Sequence, residues 1–324
     1  MKNLWSDREA KRFIHQYKKQ GVNADLALRV YTSRLLGVNP NLVIHGGGNT
    51  SVKTKLKDIM GEPVDVICVK GSGWNLGDIE PEGLPAMHLD PLKRMISLDA
   101  LSDEDMVNAQ RTNLLDSRSP NPSVETLLHA FLPHKFIDHT HANSILALSD
   151  QSSGDKLCFD IYGNRIGYVP YIMPGFALAK KANEVYRQNP GITGLILHKH
   201  GVFTFANSAK EAYDNMINLC TLAEKHIKKY RKKPFIGIKL PKRAAKASDI
   251  APILRGLIVD GSKPMLLDFR TSKKVRAYVD GTNLERYSQL GTVTPDHVIR
   301  TKPLPLITPP PDAHNIDGFR NGAT

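Results

Sequence analysis

The stretch His139-Thr140-His141 sets two imidazoles one residue apart, directly after the apolar run Phe136-Ile137. Side chains alternate along a strand, so both rings face the same way, with Cα atoms about 6–7 Å apart. Two imidazoles at that separation can bind one metal ion. A second stretch, "LILHKHGV", repeats the pattern with His198 and His200 and is expected to be another strand. Catalytic zinc commonly takes three protein ligands and keeps an open position, so three of these four histidines suffice. The plainer alternative is four polar residues at strand ends with hydrogen-bonded rings.

Two glycine stretches add a second kind of chemistry. "HGGGNTS" (residues 45–51) can present backbone N–H groups to an anion, and "KGSG" (residues 70–73) adds a lysine and a hydroxyl. Neither matches a P-loop or a dinucleotide fingerprint, and each also reads as a simple turn. Glu125 sits in the first turn of the predicted helix "SVETLLHAFLPH", for which Ser123 is the expected N-cap. A carboxylate there is favoured by the helix dipole alone. It can also face a metal and move protons.

These residues need elements to position them. "DREAKRFIHQYKKQ" and "NADLALRVYTSRLL" carry apolar residues at helical spacing, the second with Asn23 as N-cap. "PVDVICVKGSG" alternates and ends in a glycine loop, as a strand would. "FIDHTHANSILALS" reads as a strand running into a helix, and "GITGLILHKHGVFTFA" as one buried strand. "NSAKEAYDNMINLCTLAEKHIKKY" is a long helix. Ser208 and Glu211 form its capping box, and Tyr213, Met216, Ile217 and Cys220 share one face. The sequence divides into residues 1–248 and a C-terminal extension, 249–324, whose Pro-rich end is expected to be extended and partly disordered.

Composition narrows the class. Of the net charge of +12, ten positive charges fall between Lys225 and Lys246, a block without a single acid. With only Tyr230 and Phe235 as aromatics there, the block reads as a basic helix end and linker, not as a nucleic-acid or membrane surface. No apolar run approaches the roughly 18 residues of a spanning helix, and the N-terminal residues show no secretory signal. The three cysteines, Cys68, Cys158 and Cys220, are widely spaced. They fit a reducing cytoplasm and leave histidine and carboxylate as the metal ligands.

Together, "GGGNTS", "KGSG", "PSVETLLH", "HTH" and "HKHGVF" resemble the class II aldolase/adducin family over residues 25–230. That family includes fuculose- and rhamnulose-phosphate aldolases and ribulose-phosphate epimerases. The segment "QLGTVTPDHVIRTKPLPLI" is similar to the subgroup in which an aldolase domain precedes a short-chain dehydrogenase domain. The chain is expected to carry only the aldolase half. The resemblance implies an α/β fold of three layers, α/β/α, around a central, mostly antiparallel sheet. It implies a cytoplasmic homotetramer, with a separate dehydrogenase as a partner.

The resemblance also implies roles. His139, His141 and His200 would bind a divalent metal, with zinc expected. His200 is preferred to His198 because it directly precedes a glycine. Glu125 would be the catalytic acid/base. Gly48, Asn49, Lys70, Ser72, Gly73 and Ser123 would hold the phosphate of a sugar phosphate. Val124 departs from the Ser-Ser-Glu of fuculose-type enzymes and removes one phosphate hydroxyl. His297 and Arg300 are candidates for completing a site, and a structural pair of His297 with Asp296 is the alternative. The implied reaction is cleavage of a ketose 1-phosphate to dihydroxyacetone phosphate and an aldehyde. An epimerase or dehydratase, a sugar-acid aldolase and a non-catalytic adducin-like module are the competing readings.

Overall fold

Two capped amphipathic helices open the chain. In the computed structural model, which describes residues 1–230, 236–259, 263 and 265–323, α1 runs Asp7–Lys18 and α2 runs Ala24–Gly37. Asn23 caps α2 as expected, its Oδ1 accepting from Leu26 N at 2.8 Å. There follow β1 (Asn49–Lys57), β2 (Pro63–Val69), β3 (Ala86–His88), α3 (Leu89–Arg94), α4 (Asp103–Thr112) and α5 (Thr126–Phe131). Next come β4 (Phe136–Thr140), α6 (Asn143–Ser149), α7 (Gly154–Tyr162), β5 (Ile166–Val169) and α8 (Phe176–Gln188). β6 (Gly194–Leu197), β7 (Gly201–Ala206) and α9 (Ala209–Tyr230) complete the main body. Ser208 Oγ accepts from Glu211 N at 3.2 Å to start α9.

The strands form one sheet in the order β3-β2-β1-β4-β7-β6-β5. Every neighbouring pair is antiparallel except β5 with β6, so the mostly antiparallel α/β/α expectation holds. Alternation along the strands sorts side chains into two layers. Ile67, Val69, Ile137, Phe203 and Phe205 meet residues of α5 and α8 on one face. Val52, Val66, Cys68 and Phe136 meet α1 and α2 on the other, and Ile196 and Val202 meet α6, α7 and α9 there. All three cysteines are buried and free. No described helix is long and apolar enough to cross a membrane.

Contacts group the chain into two units, one of Met1–Tyr230 with Val293–Arg300, the other of Arg231–Thr292 with Thr301–Thr324. The first therefore includes α13 (Pro295–Arg300). The second contains α10 (Ala247–Leu257), α11 (Lys273–Val279), α12 (Leu284–Ser288) and α14 (Ile316–Ala323). The end of the chain, expected as an extended tail, thus carries a helix, whose Phe319 is buried. Part of the basic block, residues 231–235, lies outside the described residues.

Two polar devices tie the sheet to its layers. Arg29 of α2 pairs with Asp138 of β4, both fully buried, and Arg29 also donates to the carbonyls of Ser51 and Ile137. On the opposite face, Lys53 of β1 donates to the carbonyls of His129, Leu132 and His134 at 2.6–2.8 Å. Its three hydrogens satisfy carbonyls that the C-terminal end of α5 leaves open. Lys53→Met should therefore destabilise the fold by about 2 kcal/mol, as hydrogen bonds to a charged group are lost. A lower urea midpoint with unchanged slope is the expected reading. An unchanged midpoint would show that the lysine does not hold this helix end.

Candidate metal centre

The sheet register lines up Asn49 of β1, His139 of β4 and Phe203 of β7 as direct cross-strand neighbours. His139 stacks on the Phe203 ring, with centroids 4.1 Å apart. His141 follows the end of β4 and keeps to the same side. The second histidine pair departs from expectation. His198-Lys199-His200 is not part of one continuous strand; it is the tight turn between β6 and β7. Lys199 takes a left-handed conformation there, φ 58°, which lets His200 N reach back to Leu197 O at 3.1 Å. The reversal brings His200 to the cluster and leaves His198 half-buried near the Tyr168 ring. One ligand atom each from His139, His141 and His200 lies within 4.8 Å of the others.

The hydrogen bonds fix where the ring protons sit. His139 Nδ1 donates to the Val202 carbonyl at 3.1 Å, and His141 Nδ1 donates to Asp296 Oδ1 at 2.7 Å. A neutral imidazole has one N–H, so both Nε2 atoms present lone pairs, and they face each other at 3.1 Å. Burial, then the charges of His141 and His200, hold the His139 pKa well below the imidazole range. Burial also lowers His200, against the pull of Glu125. Glu125 Oε2 lies 3.4 Å from His139 Nε2, and its Oε1 lies 3.2 Å from His200 Nε2. Neutral imidazole nitrogens crowded with a carboxylate form a donor set that fits a divalent cation.

Glu125 is placed by the start of α5. The helix begins at Thr126, two residues later than Ser123 as N-cap would start it, and Glu125 itself holds the N-cap position at φ −90°, ψ 6°. Ser123 Oγ accepts from Glu125 N at 3.3 Å, so it shapes the turn before the helix. Asn49 Nδ2 donates to Glu125 Oε2 at 2.6 Å and to Ser123 Oγ at 3.0 Å. The Asn49 oxygen in turn lies 2.5 Å from His129 Nε2, and His129 Nδ1 lies 2.8 Å from Ser51 Oγ. Since the Asn49 amide nitrogen is the donor to Glu125, His129 must carry its proton on Nε2 and accept from Ser51. Burial keeps His129 neutral. Sequence reading missed His129. Its signal was the four-residue spacing from Glu125, which puts both on one side of the helix start.

The residues expected at a phosphate divide into two groups. Asn49 and Ser123 join the Glu125 network just described. Gly48, at φ 60°, lies against β4, where a Cβ would come 2.6 Å from the His139 carbonyl oxygen. Lys70 is buried and donates to the carbonyls of Gly46 and Trp74, both at 2.8 Å, so it joins the two glycine loops. Burial draws its pKa down to about 8 against the carboxylates of Glu125 and Asp296. Ser72 and Gly73 are exposed on the second loop, and Ser72 N donates to Asn121 O at 2.8 Å, beside the turn that leads to Glu125.

Of the two C-terminal candidates, His297 bonds Thr294 Oγ1 at 2.6 Å and Arg300 donates to the His45 carbonyl at 3.0 Å. The alternative pairing of Asp296 with His297 gives way to one with His141. Arg300 lines a cleft of about 650 Å³ with His45, Gly46, Gly47, Asn75 and Asp78, which none of the three histidines lines.

The resemblance seen in the motifs extends along most of the chain. Residues 27–227 match the family described as Class II Aldolase and Adducin N-terminal domain, and residues 245–323 match Aldolase class II, second domain. A Bacillus subtilis (strain 168) protein named Uncharacterized oxidoreductase YuxG is 35% identical over 284 residues, or 86% of this chain. The chain spans 41% of that relative's length. The N-terminal Class II Aldolase domain of a conserved protein from Thermoplasma acidophilum is 40% identical, with a TM-score of 0.63. That likeness covers 70% of this chain and 99% of the solved domain. On the extent of these matches, the chain belongs to the class II aldolase and adducin family.

Proposed function

We propose that the chain is a metal-dependent aldolase that cleaves a ketose 1-phosphate of the rhamnulose or fuculose type to dihydroxyacetone phosphate and an aldehyde. The observation that carries this reading is the Glu125 carboxylate set against three convergent histidines. A divalent cation held by His139, His141 and His200, zinc in this reading, supplies Lewis-acid stabilisation of the negative charge that cleavage develops.

The chain's own groups do the rest. Cleavage breaks the bond between the third and fourth carbons of the ketose. The electron pair stays on the third carbon, and the hydroxyl of the fourth gives up its proton to water to become the aldehyde. Glu125 delivers a proton to the third carbon, and takes it back in the synthetic direction. Asn49, held by His129, keeps the carboxylate aimed. Gly48, Asn49, Lys70, Ser72, Gly73 and Ser123 receive the phosphate and hold the substrate in register. In this reading the enzyme is a cytoplasmic homotetramer. The relative's name and greater length favour a dehydrogenase as the partner that takes up the aldehyde.

A sugar-acid substrate is the second reading, favoured by Val124, which puts an exposed apolar side chain where fuculose-type enzymes place a serine. A non-catalytic module would not need the three histidines and the carboxylate.

Incubating zinc-loaded protein with ketose 1-phosphates and with sugar acids, and following both the loss of each substrate and the release of dihydroxyacetone phosphate, decides between them. Release from the phosphates alone is expected; turnover only of the acids would replace the first reading with the second. Glu125→Gln should retain metal and lose about 10²–10⁴-fold in kcat. Full activity in that variant would remove Glu125 from the mechanism. His129→Leu should also retain metal and lose about 10²-fold in kcat, the cost of a carboxylate displaced by about 1 Å. An unaffected kcat would mean that Asn49 is oriented without the histidine.

A further inference from the structure

We propose that Asp296 is a positioning residue of the metal centre, and that Gly47 is a glycine so that the Asp296 carboxylate can occupy its place. The inference rests on the metal-centre reading above. Asp296 stands on α13, 155 residues from His141, and is only 3% exposed. Both its oxygens are engaged: Oδ1 accepts from His141 Nδ1 at 2.7 Å, and Oδ2 accepts from Ile44 N at 2.9 Å. The aspartate thus spans the ligand and the base of the first glycine loop.

The three histidines differ in what lies behind them. His139 has a backbone carbonyl, Val202 O, and His200 Nδ1 has no hydrogen-bond partner among the described residues. Among the described residues, His141 alone of the three has a charged acceptor there. An anion behind Nδ1 locks the tautomer, stops the ring from flipping and makes Nε2 a stronger donor to a cation. His141 lies just past the last paired residue of β4, and the Asp296 carboxylate is what restrains its ring.

Gly47 gives an independent reason. A Cβ at this position would lie 1.5 Å from Asp296 Oδ1 and 2.4 Å from its Cγ. The backbone of Gly47 is not left-handed, so an alanine is conformationally acceptable there. What it would displace is the carboxylate. The family-matching N-terminal region ends at residue 227, whereas Asp296 falls in the region matching the second domain. The metal centre of this chain therefore draws a group from the C-terminal matching region.

The test uses the full chain, stripped of metal and titrated with zinc against a chromogenic chelator, and separately with cobalt(II) to record its ligand-field spectrum. Wild-type protein should bind one metal per chain and His141→Ala none. Asp296→Asn and Gly47→Ala should each weaken zinc binding by about 10–100-fold and shift the cobalt spectrum. The double variant should be little weaker than either, because both changes remove one interaction. If wild type binds and both single variants match it in affinity and spectrum, Asp296 is not a positioning residue. A lower melting temperature of the metal-free variants with unchanged zinc affinity would overturn the proposal in the same way. If wild type itself binds no metal, the metal-centre reading falls and this inference with it. Should Asp296→Asn fail to fold, Gly47→Ala carries the test, since it keeps every hydrogen-bonding group.

Discussion

Two imidazole nitrogens, His139 Nε2 and His141 Nε2, face each other at 3.1 Å while their opposite nitrogens are already hydrogen-bonded. With the ring protons spent on Val202 and Asp296, neither nitrogen has one to offer the other. Glu125 adds a carboxylate on the same side, and burial keeps the His139 ring from gaining a proton from solvent. Such a cluster is costly in a low-dielectric interior unless something positive joins it. Much of the surrounding structure either commits a proton, as Val202 and Ser51 do, or holds a group against that repulsion, as Asn49 does.

The sheet makes this crowding affordable by dividing labour between its faces. Within β4, Asp138 and His139 are adjacent and point in opposite directions. Asp138 meets Arg29 of α2, and His139 meets Phe203 and the other two histidines. Burial raises the Asp138 pKa and lowers that of Arg29, while their mutual attraction opposes both shifts. Buried pairs of this kind contribute little net stability, but losing one partner strands the other charge. The pair therefore pins the register of β4 against α2. A one-residue slip would turn both histidines into the wrong layer.

What the sequence could disclose followed the distance over which each feature is encoded. His139 and His141 were readable because strand alternation is local, and the caps of α2 and α9 because they span three residues. The turn at His198–His200 was not readable: a lysine at φ 58° has no compositional mark, so an apolar run on both sides looks continuous. The late start of α5 was hidden for a similar reason. Ser123 has the right side chain for a cap, yet its hydroxyl serves Asn49 and Glu125 N in the turn. His129 had a helical spacing that went unused. Asp296 had nothing local at all, because its partner is 155 residues away.

That separation has a consequence for how the protein is made. A chain grows from its N-terminus, and folding follows the order of synthesis. All three histidines and Glu125 have emerged by residue 200, while α13 is still to come. The sheet can form its register and gather the three rings before Asp296 is there to bond His141. That bond therefore forms late, only after residue 296 has been made, and a nascent chain displays its histidines before it can orient them fully.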